Sequence, residues 1–105
     1  MEDVRRYIDA LDDVLVPLLV TRGGYMTQAA RIKQDENQVR DEERIEAIVA
    51  RVRARAAQEG GQPDVIEAIY RSMMEAYIAY ERRECARLRA NSRCSKAMYA
   101  SIMLR

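Results

Sequence analysis

Four cations stand on or beside apolar helix stripes, where leucine would be the ordinary choice: Arg5, Arg22, Lys33 and Arg44. The chain contains no histidine. That combination argues against imidazole acid–base or metal chemistry, and for a site that holds an anion by charge. The two cysteines, Cys85 and Cys94, are too few for an ordinary zinc site without histidine and are expected to be reduced and incidental. No metal and no organic cofactor is expected. A single arginine near a helix end often lays its stem on the core and its head in water. The set of four therefore matters more than any one member.

Their spacing separates them. Arg22 and Lys33 are eleven residues apart, which returns to within about 20° of the same helix face, ~16 Å along the axis. Both could flank one ligand from one helix. Arg44 follows Asp41 by three residues at the start of a second helix, and the preceding loop is short enough to return it near Lys33. Arg5 lies ~25 Å from Arg22 and ~40 Å from Lys33 along a straight helix. It can join the others only from a second copy of the chain whose first helix runs antiparallel. A two-fold dimer would then hold two identical shared sites.

Composition agrees with a small helical protein that needs such a partner. At 105 residues it is one domain, with a limited core of its own. Apolar residues make up 49% and charged residues 33%, which excludes a disordered chain. Lysine plus arginine (18) nearly balances aspartate plus glutamate (17), so there is no basic field for nucleic acid. The N-terminus lacks a secretory pattern and no apolar run is long enough for a bilayer. A cytoplasmic protein with no membrane partner is expected.

Three helical segments must position the cations. The first covers residues 2–33, with Val4, Ile8, Leu11, Leu15, Leu18, Leu19, Met26, Ala29 and Ile32 recurring at helical steps. Pro17 predicts a kink, and Gly23-Gly24 weakens the helix by ~1 kcal/mol per glycine. The apolar phase continues across both, which predicts one bent helix. Residues 34–40 read as a loop. Asp41 is a good N-cap for a second helix carrying Ile45, Ile48, Val49, Val52 and Ala56 on one face, and Gly60-Gly61 ends it. Pro63 and Asp64 open a third, with a stripe of Val65, Ile66, Ile69, Tyr70, Met73, Met74, Tyr77 and Ile78. The next position in that phase is Glu81, where an apolar residue would be expected. Arg51, Arg53, Arg55, Arg82 and Arg83 read as solvated faces. The expected fold is all-α: a helical domain over residues 1–90 with a long kinked first helix, and a tail over 91–105. Within that tail, residues 97–104 could form a short amphipathic helix.

The segment Arg5-Arg6-Tyr7-Ile8-Asp9-Ala10-Leu11-Asp12 resembles the opening of the all-helical (AroQ-type) chorismate mutase family, R-x-x-I-D-x-L-D. The resemblance continues through Leu18-Leu19-x-x-Arg22, Ala30-x-x-Lys33 and Val39-Arg40-Asp41-x-x-Arg44, and covers about residues 4–82. It implies an intertwined helical homodimer that rearranges chorismate to prephenate, a pericyclic step within one small dicarboxylate. It further implies that Arg22 and the second copy's Arg5 hold the two carboxylates. By the same resemblance, Lys33 contacts the ether oxygen and a carboxylate. Asp41 and Arg44 line the loop side, Asp41 near the substrate hydroxyl. Glu81 falls where the family places a hydrogen-bond donor to the ether oxygen, and Tyr77 and Ile78 belong to the same wall.

This chain departs from the family's pattern at three positions. Ile45 stands where bacterial mutases often carry glutamate. Tyr77 replaces a small hydroxyl residue, and Glu81 a glutamine. Ile45 and the Tyr77-Ile78 pair are similar to the related isochorismate-pyruvate lyases, which release salicylate and pyruvate, whereas Asp41 leans toward the mutases. A mutase is the first expectation, the lyase the second. A catalytically silent helical binding protein is the third.

Overall fold

The computed structural model describes residues 1–32 and 40–90, and over these it is three helices: α1 Glu2–Ile32, α2 Glu42–Gln58 and α3 Pro63–Ala90. Lys33, the 34–39 part of the loop, Cys94 and the 91–105 tail lie outside the described residues. Among the described residues there is no strand, and no helix is long and apolar enough to cross a membrane.

Helix α1 opens with Glu2 and Asp3 in its first turn, where carboxylates oppose the positive end of the helix dipole. It runs as one element through Pro17 and Gly23-Gly24, as the continuous apolar phase predicts. Helix α2 begins where expected. Asp41 has extended backbone and its Oδ1 accepts from the Arg44 amide at 3.1 Å. Its end is a Schellman motif. The Gly61 amide donates to the Ala56 carbonyl at 2.8 Å and the Gly60 amide to Ala57 at 3.1 Å. Gly60 has φ +76°, a left-handed conformation that only glycine adopts without strain. Three residues later Pro63 opens α3, at a position whose missing amide costs nothing.

The core lies between α2 and α3. Ile45 and Val49 meet Met74 and Ile78, with Met26, Ile48 and Tyr70 packed around them. Each such buried side chain contributes ~1.5–3 kcal/mol through water removed from apolar surface. Beside this core runs a row of ion pairs. Arg71 of α3 grips both carboxylate oxygens of Glu46 on α2, at 2.8 and 2.9 Å, and reaches Glu67 at 2.7 Å. Arg53 of α2 donates to Asp64 at 2.8 Å and to Glu67 at 2.7 Å. Arg40 pairs with Glu42 and Glu75. These bonds hold the Arg71 and Arg53 guanidiniums above their ordinary range. Arg71 in turn keeps the Glu46 and Glu67 carboxyls below their ordinary 4.5, with Arg53 adding to the effect at Glu67.

Only the later part of α1 shares in this packing. Met26 reaches the core, and Tyr77 of α3 donates to the Leu19 carbonyl at 3.3 Å. The first eighteen residues are exposed throughout. Leu11 is 68% exposed, Leu18 61% and Leu15 48%, so the stripe has no cover within its own chain.

Candidate functional site

A cleft of about 540 Å³ opens where α1, α2 and α3 meet. Arg22 comes from α1, Tyr70 from α3, and Arg44, Ile48, Arg51 and Arg55 from successive turns of one face of α2. Positions 44, 48, 51 and 55 share that face because they are three and four residues apart.

Arg22 is held from two sides. Its Nη1 donates to the Met26 sulfur at 2.8 Å, one turn on, and its Cζ lies 5.4 Å from the centroid of the Tyr70 ring. A guanidinium over an aromatic face is attracted by the ring's quadrupole and keeps its planar edge free for a carboxylate. Arg44 is placed by the Asp41 cap, which fixes the first turn of α2.

The arginines of the helical body fall into two groups. Arg6, Arg40, Arg53, Arg55 and Arg71 each pair with a carboxylate. Among the described residues, Arg5, Arg22, Arg44, Arg51, Arg82 and Arg83 have no carboxylate partner, and three of these, Arg22, Arg44 and Arg51, converge on one cleft. Three guanidiniums without carboxylate partners around one cavity raise the local positive potential and suit an anion carrying more than one charge.

Glu81 is the buried charged side chain among the described residues, at 4% exposure. It follows Ile78 and Met74 on the inward face of α3, so the break in the apolar stripe is a carboxyl turned inward rather than a solvated position. Tyr77 is half-buried against α1, and Ile78 lies in the core. Neither borders the arginine cleft. Ile45 is likewise a core residue. Arg5 is exposed on the uncovered half of α1, with no ion pair among the described residues.

Arg51, read as a solvated face, is exposed and also borders the cleft. It shares that face with Arg44 at a seven-residue spacing, a signal that was available. Arg53, placed in the same class, is half-buried and pairs across to α3. Arg82 and Arg83 are exposed, as expected.

No curated protein and no solved structure matches the chain. A family model described as chorismate mutase type II matches residues 4–82, a span that includes Arg5, Arg22, Lys33, Asp41, Arg44, Tyr77, Ile78 and Glu81. With residues 4–82 matched, three helices and no strand among the described residues, and an arginine-lined cleft built by residues within the matched span, the chain belongs to the chorismate mutase type II family.

Proposed function

We propose that the protein is a chorismate mutase whose site is completed by a second copy of itself. The observation that carries the reading is the convergence of Arg22, Arg44 and Arg51 on one cleft, free of the carboxylates that neutralise the arginines around them. Chorismate is a small dianion, and its rearrangement needs no nucleophile from the protein. One carbon–oxygen bond breaks as one carbon–carbon bond forms within the same molecule. Catalysis then consists of holding the compact conformer and stabilising charge on the departing ether oxygen.

In this reading Arg22 takes one carboxylate and the partner copy's Arg5 the other. Lys33 supplies positive charge at the ether oxygen. Asp41 and Arg44 bound the loop side, and Tyr77 and Ile78 stand one turn before Glu81 on α3. Two apolar surfaces support the second copy: the exposed stripe of α1, and a trough between α2 and α3 lined by Val52, Ala56, Val65 and Ile66. An antiparallel α1 laid along the molecule would bury the stripe and bring Arg5 toward Arg22. The dimer acts in the cytoplasm.

Glu81 makes the reading specific. Only its protonated form donates a hydrogen bond to an ether oxygen that is gaining negative charge; the ionised form opposes that charge. Glu81→Gln, which always carries an N–H donor, should therefore retain or raise kcat/KM, whereas Glu81→Leu, which cannot donate, should abolish it. A loss of activity in Glu81→Gln equal to that in Glu81→Leu would remove Glu81 from this role.

The lyase is the second reading, favoured by Ile45 and the Tyr77-Ile78 pair. Offering chorismate and isochorismate separately to purified protein decides between them. Loss of chorismate with formation of prephenate supports the mutase. Salicylate fluorescence with release of pyruvate supports the lyase, and turnover of neither leaves a binding protein.

A further inference from the structure

Two features of the chain look costly in isolation. Gly23 weakens the middle of a long helix, and Tyr77 puts a large ring on the face of α3 turned toward that helix. The structure joins them. A Cβ built on Gly23 would lie 2.1 Å from Tyr77 Cζ and 2.3 Å from both Cε1 and Oη. No side chain fits there while the ring is in place. The neighbouring Gly24 faces open space, so the requirement belongs to Gly23 alone.

The same ring is anchored by its hydroxyl, which donates to the Leu19 carbonyl at 3.3 Å. Leu19 lies one helical turn before Gly23, so ring and hydroxyl grip one turn of α1. Arg22 sits within that turn, beside the glycine. Its guanidinium lies over Tyr70, seven residues before Tyr77 on α3. The crossing of α1 on α3 is thus set at two points, by Tyr77 in the glycine notch and by Tyr70 beneath the arginine.

We propose that Tyr77 and Gly23 form a size-matched pair that positions Arg22, fixing how closely α1 approaches α3 and so where the guanidinium meets its anion. The inference rests on reading Arg22 as a ligand of the substrate carboxylate. Tyr77 acts through Arg22 as a positioning residue. A methyl group at position 23 must push the ring away or lift α1, and either shift moves Arg22 relative to Arg44 across the cleft.

The test is a double-mutant cycle with Gly23→Ala, Tyr77→Ala and the combined variant, with Tyr77→Phe alongside. KM and kcat for chorismate are measured together with the melting temperature. Gly23→Ala alone should raise KM by roughly 10- to 100-fold with a smaller change in kcat, the size expected when a substrate-orienting group is misplaced by about an ångström. In the Tyr77→Ala background the same change should leave KM within a few fold and raise the melting temperature, because alanine then only improves helix propensity. In the Tyr77→Phe background, which keeps the ring, Gly23→Ala should cost as much in KM as it does beside tyrosine. If Gly23→Ala costs as much in KM and melting temperature with alanine at 77 as with tyrosine, the pairing is wrong. If it lowers the melting temperature only beside Tyr77 but leaves KM unchanged, the pair packs without positioning Arg22, and the inference is likewise overturned. Failure of the mutase reading would look different: wild-type protein inactive toward chorismate.

Discussion

The α2–α3 hairpin and the first half of α1 carry apolar stripes of similar quality, yet the chain treats them in opposite ways. In the hairpin the stripes close on each other. Ile45 and Val49 meet Met74 and Ile78, a Schellman turn joins the two helices, and Arg71 and Arg53 tie them along one edge. In α1 the stripe through Leu11, Leu15 and Leu18 stays open. The hairpin thus closes most of its own core. The first half of α1 has no cover within its own chain, and Arg5 rides on it. The three described cations divide along the same line, with Arg22 and Arg44 on the packed side and Arg5 on the unpacked one.

The sharpest way to break this contrast is to charge the open stripe. Leu11→Glu with Leu15→Glu should dissociate the second copy and abolish turnover, while far-ultraviolet dichroism retains most of the helix signal. Sedimentation checks the first outcome and the assay the second. An active, dimeric double variant would show that the stripe is not the contact. On the hairpin side, Met74→Ala should lower unfolding stability by ~2–5 kcal/mol, the usual cost of emptying a packed core position. Urea titration measures it. A loss under 1 kcal/mol would mean the α2–α3 core is far looser than its burial implies.

Acid gives a smaller and more local effect. Glu46 and Glu67 titrate below 4.5 in the fold because Arg71 holds their charged forms, with help from Arg53 at Glu67. A lowered folded value adds stability above the unfolded value and loses it as pH falls through the folded one. The melting temperature should therefore be level above about pH 5 and drop below it. Arg71→Gln should lessen that drop. These pairs are exposed, so the effect should shrink in high salt. At Gly60 alanine must adopt the left-handed conformation at φ +76° and should cost ~1–2 kcal/mol by thermal melt.

Most of the hairpin was legible in advance, because its signals are local. Asp41 as cap, Gly60-Gly61 as stop and Pro63 as start each act within a few residues, and each appears where the chain's chemistry puts it. The continuity of α1 through Pro17 was legible from phase alone. Glu81 stood out because it broke an apolar stripe. What was not legible depends on how helices face each other. Arg51 and Arg53 are two residues apart with the same side chain, and only the rotation of α2 against α3 gives Arg53 to Asp64 and Glu67 and leaves Arg51 to the cleft. The fit of Tyr77 into Gly23 likewise exists only at the crossing of α1 and α3. Periodicity showed that the α1 stripe was apolar, but an apolar face does not name its cover.

Whether a second copy provides that cover is settled by mixing an Arg5→Ala chain with an Arg22→Ala chain. Each alone should lose on the order of 10²–10³ in kcat/KM, as expected when one charge-stabilising donor is removed. In a mixed dimer one site regains both arginines and the other loses both. Random exchange of equal amounts should therefore restore about a quarter of wild-type activity. Mixed dimers that form and remain as inactive as their parents would contradict a site shared between two copies.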